Sequence, residues 1–295
     1  MNTFHLSCKK PFSYQHCLSS LYRSPDEILY QVKNDRIYRL LTVNDVPVAI
    51  EIYFDGEQLV VNSEKSLNEN EVSELKSYIS RWFDLDKDLT PFYDLLNGDD
   101  RLTHLADQFK GLRIVGIPDV FEAICWSIIG QQINLSFAHK LKRRLIEQYG
   151  EKASWQGMDL HLFPSPEAIL DLDEHYLHSQ QQFSRSKLKY LKNIADAFAS
   201  GNISYEKLRS LESFEEKQAL LTSVKGIGIW SANYTLMKAL NQPEAIPYGD
   251  TGLSQALFNL EIIRDRKDIS AIEQFFQDFP GWEAYLVFYL WKSLS

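Results

Sequence analysis

Residues 220–257, LLTSVKGIGIWSANYTLMKALNQPEAIPYGDTGLSQAL, constrain the fold more than any other stretch of this chain. Leu220, Leu221 and Val224 precede Lys225-Gly226-Ile227-Gly228, and Ile229, Ala232, Leu236 and Leu240 follow at helical spacing. Two glycines between two apolar helical patterns make a tight hairpin, and bare amides at Gly226 and Gly228 beside a helix N-terminus attract an anion such as phosphate. Further on a lone carboxylate, Asp250, follows Pro247 and stands where another helix begins. An ordinary packing hairpin remains open on this stretch alone.

At 295 residues, 44% hydrophobic and 24% charged, the chain is globular and has length for two domains. It has no uncharged apolar run long enough for a membrane span, and its start lacks the apolar region of a signal peptide, so a cytoplasmic protein with no membrane partner is expected. Cys8, Cys17 and Cys125 are three, with no C-x-x-C pair. That count excludes a disulfide framework and a clustered zinc or iron–sulfur site, and Cys125 is expected to be buried. A net charge of -9 argues against nonspecific nucleic-acid affinity if spread evenly. It is not: acids crowd residues 51–100, whereas Lys140, Lys142, Arg143, Arg144 and Arg185, Lys187, Lys189, Lys192 gather later. A basic face and a set of solvated helix surfaces are both compatible with that pattern.

Residues 27–62 hold β-branched and apolar runs separated by Asn34-Asp35, Asn44-Asp45 and Asp55-Gly56, the turn dipeptides of an antiparallel meander. Helical spacing at 14–21 and 71–82 flanks it, so residues 1–80 read as a small α/β domain. Beyond them the strand signals stop, and residues 81–295 read as helices, with the helix-hairpin-helix at about 214–240. The segment 135–149 is expected to put Leu135, Ala138, Leu141, Leu145 and Tyr149 on its buried face and Lys142, Arg143 and Glu147 away from it.

Two further motifs join the hairpin: Trp126-Ser127-Ile128-Ile129-Gly130-Gln131-Gln132 and Pro247-Tyr248-Gly249-Asp250-Thr251-Gly252-Leu253, preceded by Gly111-Leu112-Arg113. Taken in order, they make the chain resemble the helix-hairpin-helix DNA glycosylase superfamily, in particular its alkylpurine (3-methyladenine) DNA glycosylase II branch, over essentially its whole length. The resemblance implies an α+β fold, a small antiparallel-sheet domain followed by a two-lobed all-α core. It implies a monofunctional base-excision-repair enzyme that flips alkylated purines out of double-stranded DNA and leaves an abasic site. Glycosylases for deaminated or oxidised purines and a noncatalytic lesion-binding protein are the alternatives.

Carried over residue by residue, the resemblance makes Asp250 the catalytic carboxylate. Such a group suits the oxocarbenium-like charge that builds on the sugar as an N-glycosidic bond breaks. Capping the helix at Thr251 is an aspartate's other use there, and the two roles can coexist. Trp230 stands where bifunctional members carry the lysine that forms a Schiff base, which tryptophan cannot do. Trp230, Tyr234 and Trp291 are implied to form an aromatic pocket for a cationic alkylpurine; core packing competes for all three. The wedge that fills the gap left by the flipped base is implied at Gln131 or Gln132, where the best-known members have an aliphatic residue. Gly226 and Gly228 are implied to hold DNA phosphate, with Lys225, where proline is frequent, as an added contact. Carbonyls of Thr222, Val224 and Gly226 are implied to take a monovalent cation; no other cofactor is expected, nor a stable oligomer. His139, His161, His175 and His178 lie in polar stretches expected to be exposed, without metal or catalytic roles.

Overall fold

A computed structural model describes residues 2–22 and 24–294. Its sheet is five-stranded and antiparallel, built from β1 (Asn2–Ser7), β2 (Tyr30–Lys33), β3 (Arg36–Val43), β4 (Val46–Phe54) and β5 (Gln58–Ser63) in the order β1-β5-β4-β3-β2. Two-residue turns set its register. Asn34-Asp35 and Asn44-Asp45 all have positive φ, between 47 and 59°, which is why short polar residues occupy them. They close β2 on β3 with Lys33 opposite Arg36, and β3 on β4 with Val43 opposite Val46. The strand β1 is an addition to the expected meander, paired along β5.

Helices α1 (Tyr14–Leu21) and α2 (Glu69–Phe83) flank the sheet. Asn68 starts α2 with a capping box, its side chain accepting from Glu71 while the Glu71 carboxylate accepts the Asn68 amide. The helical part follows as α3 (Thr90–Asn97), α4 (Thr103–Gln108), α5 (Val120–Gly130), α6 (Leu135–Tyr149), α7 (Pro166–Leu170), α8 (Glu174–Ser179), α9 (Arg185–Ala199), α10 (Tyr205–Ser210), α11 (Phe214–Thr222), α12 (Ile229–Leu240), α13 (Thr251–Asn259), α14 (Ile269–Phe276) and α15 (Glu283–Lys292). Two of these, α4 and α8, are six-residue helices that the apolar spacing did not mark. Among the described residues no helix is long and apolar enough to cross a membrane.

The later chain is not helical throughout. A hairpin of β6 (Lys152–Trp155) and β7 (Met158–His161) sits between α6 and α7, turning at Gln156-Gly157, both with positive φ. Met158 and Leu160 point inward and pack with Tyr38, Leu40 and Ala49 of the large sheet. Four-residue strands carry only two inward side chains each, too few for a period-2 pattern to stand out in the sequence.

The core runs without a break from the sheet into the helices, with α5 buried on nearly all sides. Helices α6, α9 and α12 pack on α5. Arg113 ties the entry loop to this core. Fully buried, its guanidinium donates to the carbonyls of Asp84 at 3.2 Å and Pro11 at 3.0 Å, and to those of Lys9 and Lys87.

Candidate active site

Helix α12 begins without a side-chain cap, because Gly228 is its N-cap residue. The amides of its first turn are therefore left for a ligand or water. Gly226 has φ +113°, and the Tyr190 ring of α9 packs so closely below it that a Cβ there would come within 2.4 Å of the ring. Only glycine fits this position, both for its conformation and for its space. Ser213 and Glu216 form a capping box at the start of α11, so both arms of the hairpin are fixed by local chemistry.

A cleft of about 1180 Å³ opens beside the hairpin and brings together Gln131 and Gln132, Trp230 and Tyr234, and Asp250 and Trp291. Asp250 is the N-cap of α13, as one of the two readings of its position requires: its Oδ1 accepts the Leu253 amide at 2.7 Å. The same Oδ1 accepts the indole N–H of Trp291 at 2.8 Å. Both bonds fall on one oxygen, and Oδ2 carries none among the described residues. Gly252 makes this possible, since a Cβ there would stand 3.1 Å from Oδ1 and 3.3 Å from the Trp291 ring. Trp230 lies stacked on Tyr234, their ring centres 5.4 Å apart and planes 17° apart. Tyr234 continues to Trp291, 6.2 Å away with planes at 39°. Tyr234 is only 9% exposed, whereas Trp230 and Trp291 are half-buried on the cleft wall.

The two glutamines separate. Gln131 donates its amide to the Gly226 carbonyl and to Ser231 Oγ, each at 3.3 Å, and so belongs to the hairpin's support. Gln132 is exposed, has φ +57°, and makes no hydrogen bond among the described residues. A left-handed glutamine at the mouth of a cleft is a conformation held for a reason other than its own propensity. Lys225 is exposed in the hairpin, its carbonyl accepting the Asn193 amide at 2.9 Å. The Thr222 and Val224 carbonyls lie at the end of α11 and in the hairpin; that of Val224 accepts the Ile227 amide at 3.1 Å.

Three expectations are corrected. Lys142 is buried, not turned away: at 100° per residue it falls between Ala138 and Ile146, near the centre of the inner face. Leu135, expected inside, is 54% exposed, because the first turn of α6 extends past the core beside Gln132. His139 is buried too, its ring 4.7 Å from that of Trp126 on the cleft wall. Of the two basic runs, Lys187 as well as Lys142 points inward. Its ammonium donates to the carbonyls of Ile128 at 3.2 Å, Ile129 at 2.7 Å and Gln131 at 2.6 Å, closing the C-terminus of α5 under the glutamine loop.

Beyond the aromatic residues the cleft wall is ionic, a feature the motifs did not reveal. Lys142 donates to Glu27 at 3.0 Å and to Glu122 at 3.2 Å, and Arg39 donates to Glu122 at 2.9 Å; none of the four side chains is more than 6% exposed. Burial alone would push the Glu27 carboxyl up, but Lys142 and the Leu29 amide hold it below its ordinary range. Burial likewise opposes the Lys142 charge, and Glu27 and Glu122 override it, raising its pKa. Arg39 also lies 4.6 Å over Trp82 and Lys142 5.4 Å over Trp126. The sign was present in the sequence: Glu122 is the sole charge in the apolar run 120–130 and, once buried, needs a cation. Since Glu27, Tyr30 and Arg39 line the cleft, the N-terminal sheet domain forms one of its walls.

Residues 125–280 match the family model described as HhH-GPD superfamily base excision DNA repair protein, and residues 6–124 match that of the 8-oxoguanine DNA glycosylase N-terminal domain. The chain is similar to the DNA-3-methyladenine glycosylase of Bacillus subtilis (strain 168), 35% identical over 281 residues that cover 94% of this chain and 92% of that one. Its fold is similar to the 3-methyladenine DNA-glycosylase from Archaeoglobus fulgidus, with a TM-score of 0.83 at 24% identity over 99% and 97% of the two chains. It is also similar in fold to a Clostridium acetobutylicum 8-oxoguanine glycosylase/lyase solved with double-stranded DNA, with a TM-score of 0.76 at 19% identity over 99% and 96%.

Proposed function

The chain belongs to the HhH-GPD superfamily of base excision DNA repair proteins, and from that membership we propose that it is a monofunctional DNA glycosylase of the 3-methyladenine type. It flips alkylated purines out of double-stranded DNA and hydrolyses the N-glycosidic bond, leaving an abasic site. The observation that carries this reading is Asp250. One carboxylate oxygen is held by the Leu253 amide and the Trp291 indole, and the other is left for chemistry at the edge of an aromatic cleft.

An alkylpurine carries delocalised positive charge, and Trp230 stacked on Tyr234 offers it a π-face worth about 0.5–2 kcal/mol. The same charge makes the base a good leaving group, so the protein's task is to stabilise the sugar cation as it forms. The free Asp250 oxygen does this, and orients the attacking water. Flipping costs a few kcal/mol of stacking and pairing. Gln132, exposed and without a hydrogen-bond partner among the described residues, enters the vacated space and bonds the orphaned base, while Gln131 keeps the loop on the hairpin. Amides at Gly228 and the first turn of α12 hold a phosphate, and Lys225 adds a charge beside it. The neutral carbonyls of Thr222 and Val224 suit a monovalent cation, which would bridge hairpin and phosphate. The Gly226 carbonyl accepts the Gln131 amide as that of Val224 accepts the Ile227 amide, and each keeps a second lone pair for the ion.

No amine is offered for lyase chemistry at position 230. Of the three lysines lining the cleft among the described residues, Lys142 is held by two carboxylates, Lys238 by the Val115 carbonyl, and Lys292 is the last residue of α15, next to Trp291. Residues 1–80 then act as a wall of the site and residues 81–295 supply its chemistry. Three unpaired, buried cysteines fit a reducing cytoplasm, where the chain works as a monomer on its DNA.

Single-turnover assays on duplexes carrying 3-methyladenine, 7-methylguanine, hypoxanthine or 8-oxoguanine test this, with Asp250→Asn alongside. Release of alkylated purine by the parent and its loss in the variant are expected. A parent that binds DNA and releases none of the four bases refutes the enzyme, and a borohydride-trapped protein–DNA adduct refutes its monofunctional character.

A further inference from the structure

Taking duplex DNA as the partner, as proposed above, we propose that the groove between α8 and α9 is a second phosphate-contact surface, carrying the DNA backbone as it runs on from the hairpin. The groove has a volume of about 570 Å³ and lies outside the cleft. Its cationic lining comes from Arg185, Lys189 and Lys192 of α9, with His175 and His178 of α8 opposite. Steps of four and three residues put the three cations on one side of α9. Arg185 and Lys189 are exposed and have no ion pair among the described residues. Lys192 pairs with Glu174 at 2.9 Å, and among the described residues Glu174 is the one carboxylate in the lining. That pair is solvent-accessible and hence weak, so a phosphate can compete for the ammonium.

In a chain of net charge -9 this concentration of cations is local. Its place matters more. Asn193, at the end of the groove, donates to the Lys225 carbonyl, and Tyr190 one turn earlier packs under Gly226. The rim of the groove is thus the hairpin itself, and a strand anchored on the α12 amides meets the α9 cations next. The lining is one of charges, and its single amide, Asn193, is already engaged. Such a surface holds the backbone and reads no base.

The test is the salt dependence of binding to a duplex bearing an abasic-site analogue, for the parent and for the double variant Arg185→Gln with Lys189→Gln. Each phosphate contact contributes about 0.9 to the slope of log K against log salt. Loss of two should therefore lower the slope by roughly 1.8 and weaken binding at low salt about tenfold or more, leaving single-turnover release at saturating DNA unchanged. The double variant Lys207→Gln with Arg209→Gln, on exposed positions of α10, removes the same charge and should leave the slope at the parental value. A parental slope in the α9 variant, or an equal fall in the α10 variant, overturns the proposal. The slope is read without catalysis, so a parent that binds DNA but excises nothing counts against the glycosylase reading and not against the groove.

Discussion

Trp291→Phe separates what the indole N–H does from what the ring does. Phenylalanine keeps an aromatic face beside Tyr234 but removes the donor that lies 2.8 Å from Asp250 Oδ1. The carboxylate is then restrained by the Leu253 amide alone and can rotate about its own bond. A hydrogen bond to a charged group contributes about 1.5–3 kcal/mol. If that energy orients the free oxygen toward the sugar, its loss lowers the single-turnover rate by roughly 10- to 100-fold. Affinity for DNA, which the proposed function assigns to surfaces other than Trp291, should change little. A double-mutant cycle with Asp250→Asn gives the sharper reading: an orienting role requires Trp291→Phe to have almost no further effect once the carboxylate is gone. A rate within twofold of the parent, or full additivity with Asp250→Asn, refutes the assignment and returns Trp291 to packing alone.

Gly252→Ala should reach the same step from the backbone. A Cβ 3.1 Å from Oδ1 and 3.3 Å from the Trp291 ring displaces one or both, so the release rate should fall without a matching loss of DNA affinity, measured in the same pair of assays. Lys142→Met leaves Glu27 and Glu122 buried and short of a partner, at a cost of about 3–5 kcal/mol or roughly 10 °C in Tm by thermal unfolding; an unchanged Tm would remove the network from the list of stabilising features. The Glu27 carboxyl titrates lower folded than unfolded, so its contribution is present above the ordinary value of 4.5 and is lost as pH falls through the depressed folded value. Glu27→Gln should accordingly flatten the acid side of a Tm-against-pH curve relative to the parent.

The parts of this protein that were legible in its sequence are those that depend on neighbours in the chain. Asn34-Asp35 and Asn44-Asp45 specify their own turns, Gly226 its own conformation, and Asp250 its own cap, so the sheet, the hairpin and the start of α13 could be read residue by residue. The four-residue strands of β6 and β7 could not, since they are held by Tyr38 and Leu40 from far earlier in the chain. Lys142 was misjudged for a related reason. A cation on an apolar stripe looks like a surface residue until Glu27, 115 residues away in sequence, and Glu122, 20 residues away, are brought against it by the fold. In the same way the motifs nominated both glutamines after Gly130, and only the bonds that brace Gln131 on the hairpin distinguish it from Gln132, which makes none among the described residues.

Helix α9 fixes the spacing between the glutamine loop and the hairpin. Lys187 grips the carbonyl of Gln131, and Tyr190 and Asn193 grip the hairpin at Gly226 and Lys225. Six residues of helix separate the first grip from the last, a rise of about 9 Å that does not stretch. The helix is therefore a calliper, one jaw on the hairpin proposed to hold a backbone phosphate and the other on the loop proposed to enter the base stack. A single residue inserted between Lys187 and Tyr190 would turn Tyr190 and Asn193 by about 100° about the helix axis and carry both off the hairpin while Lys187 kept its hold on the loop.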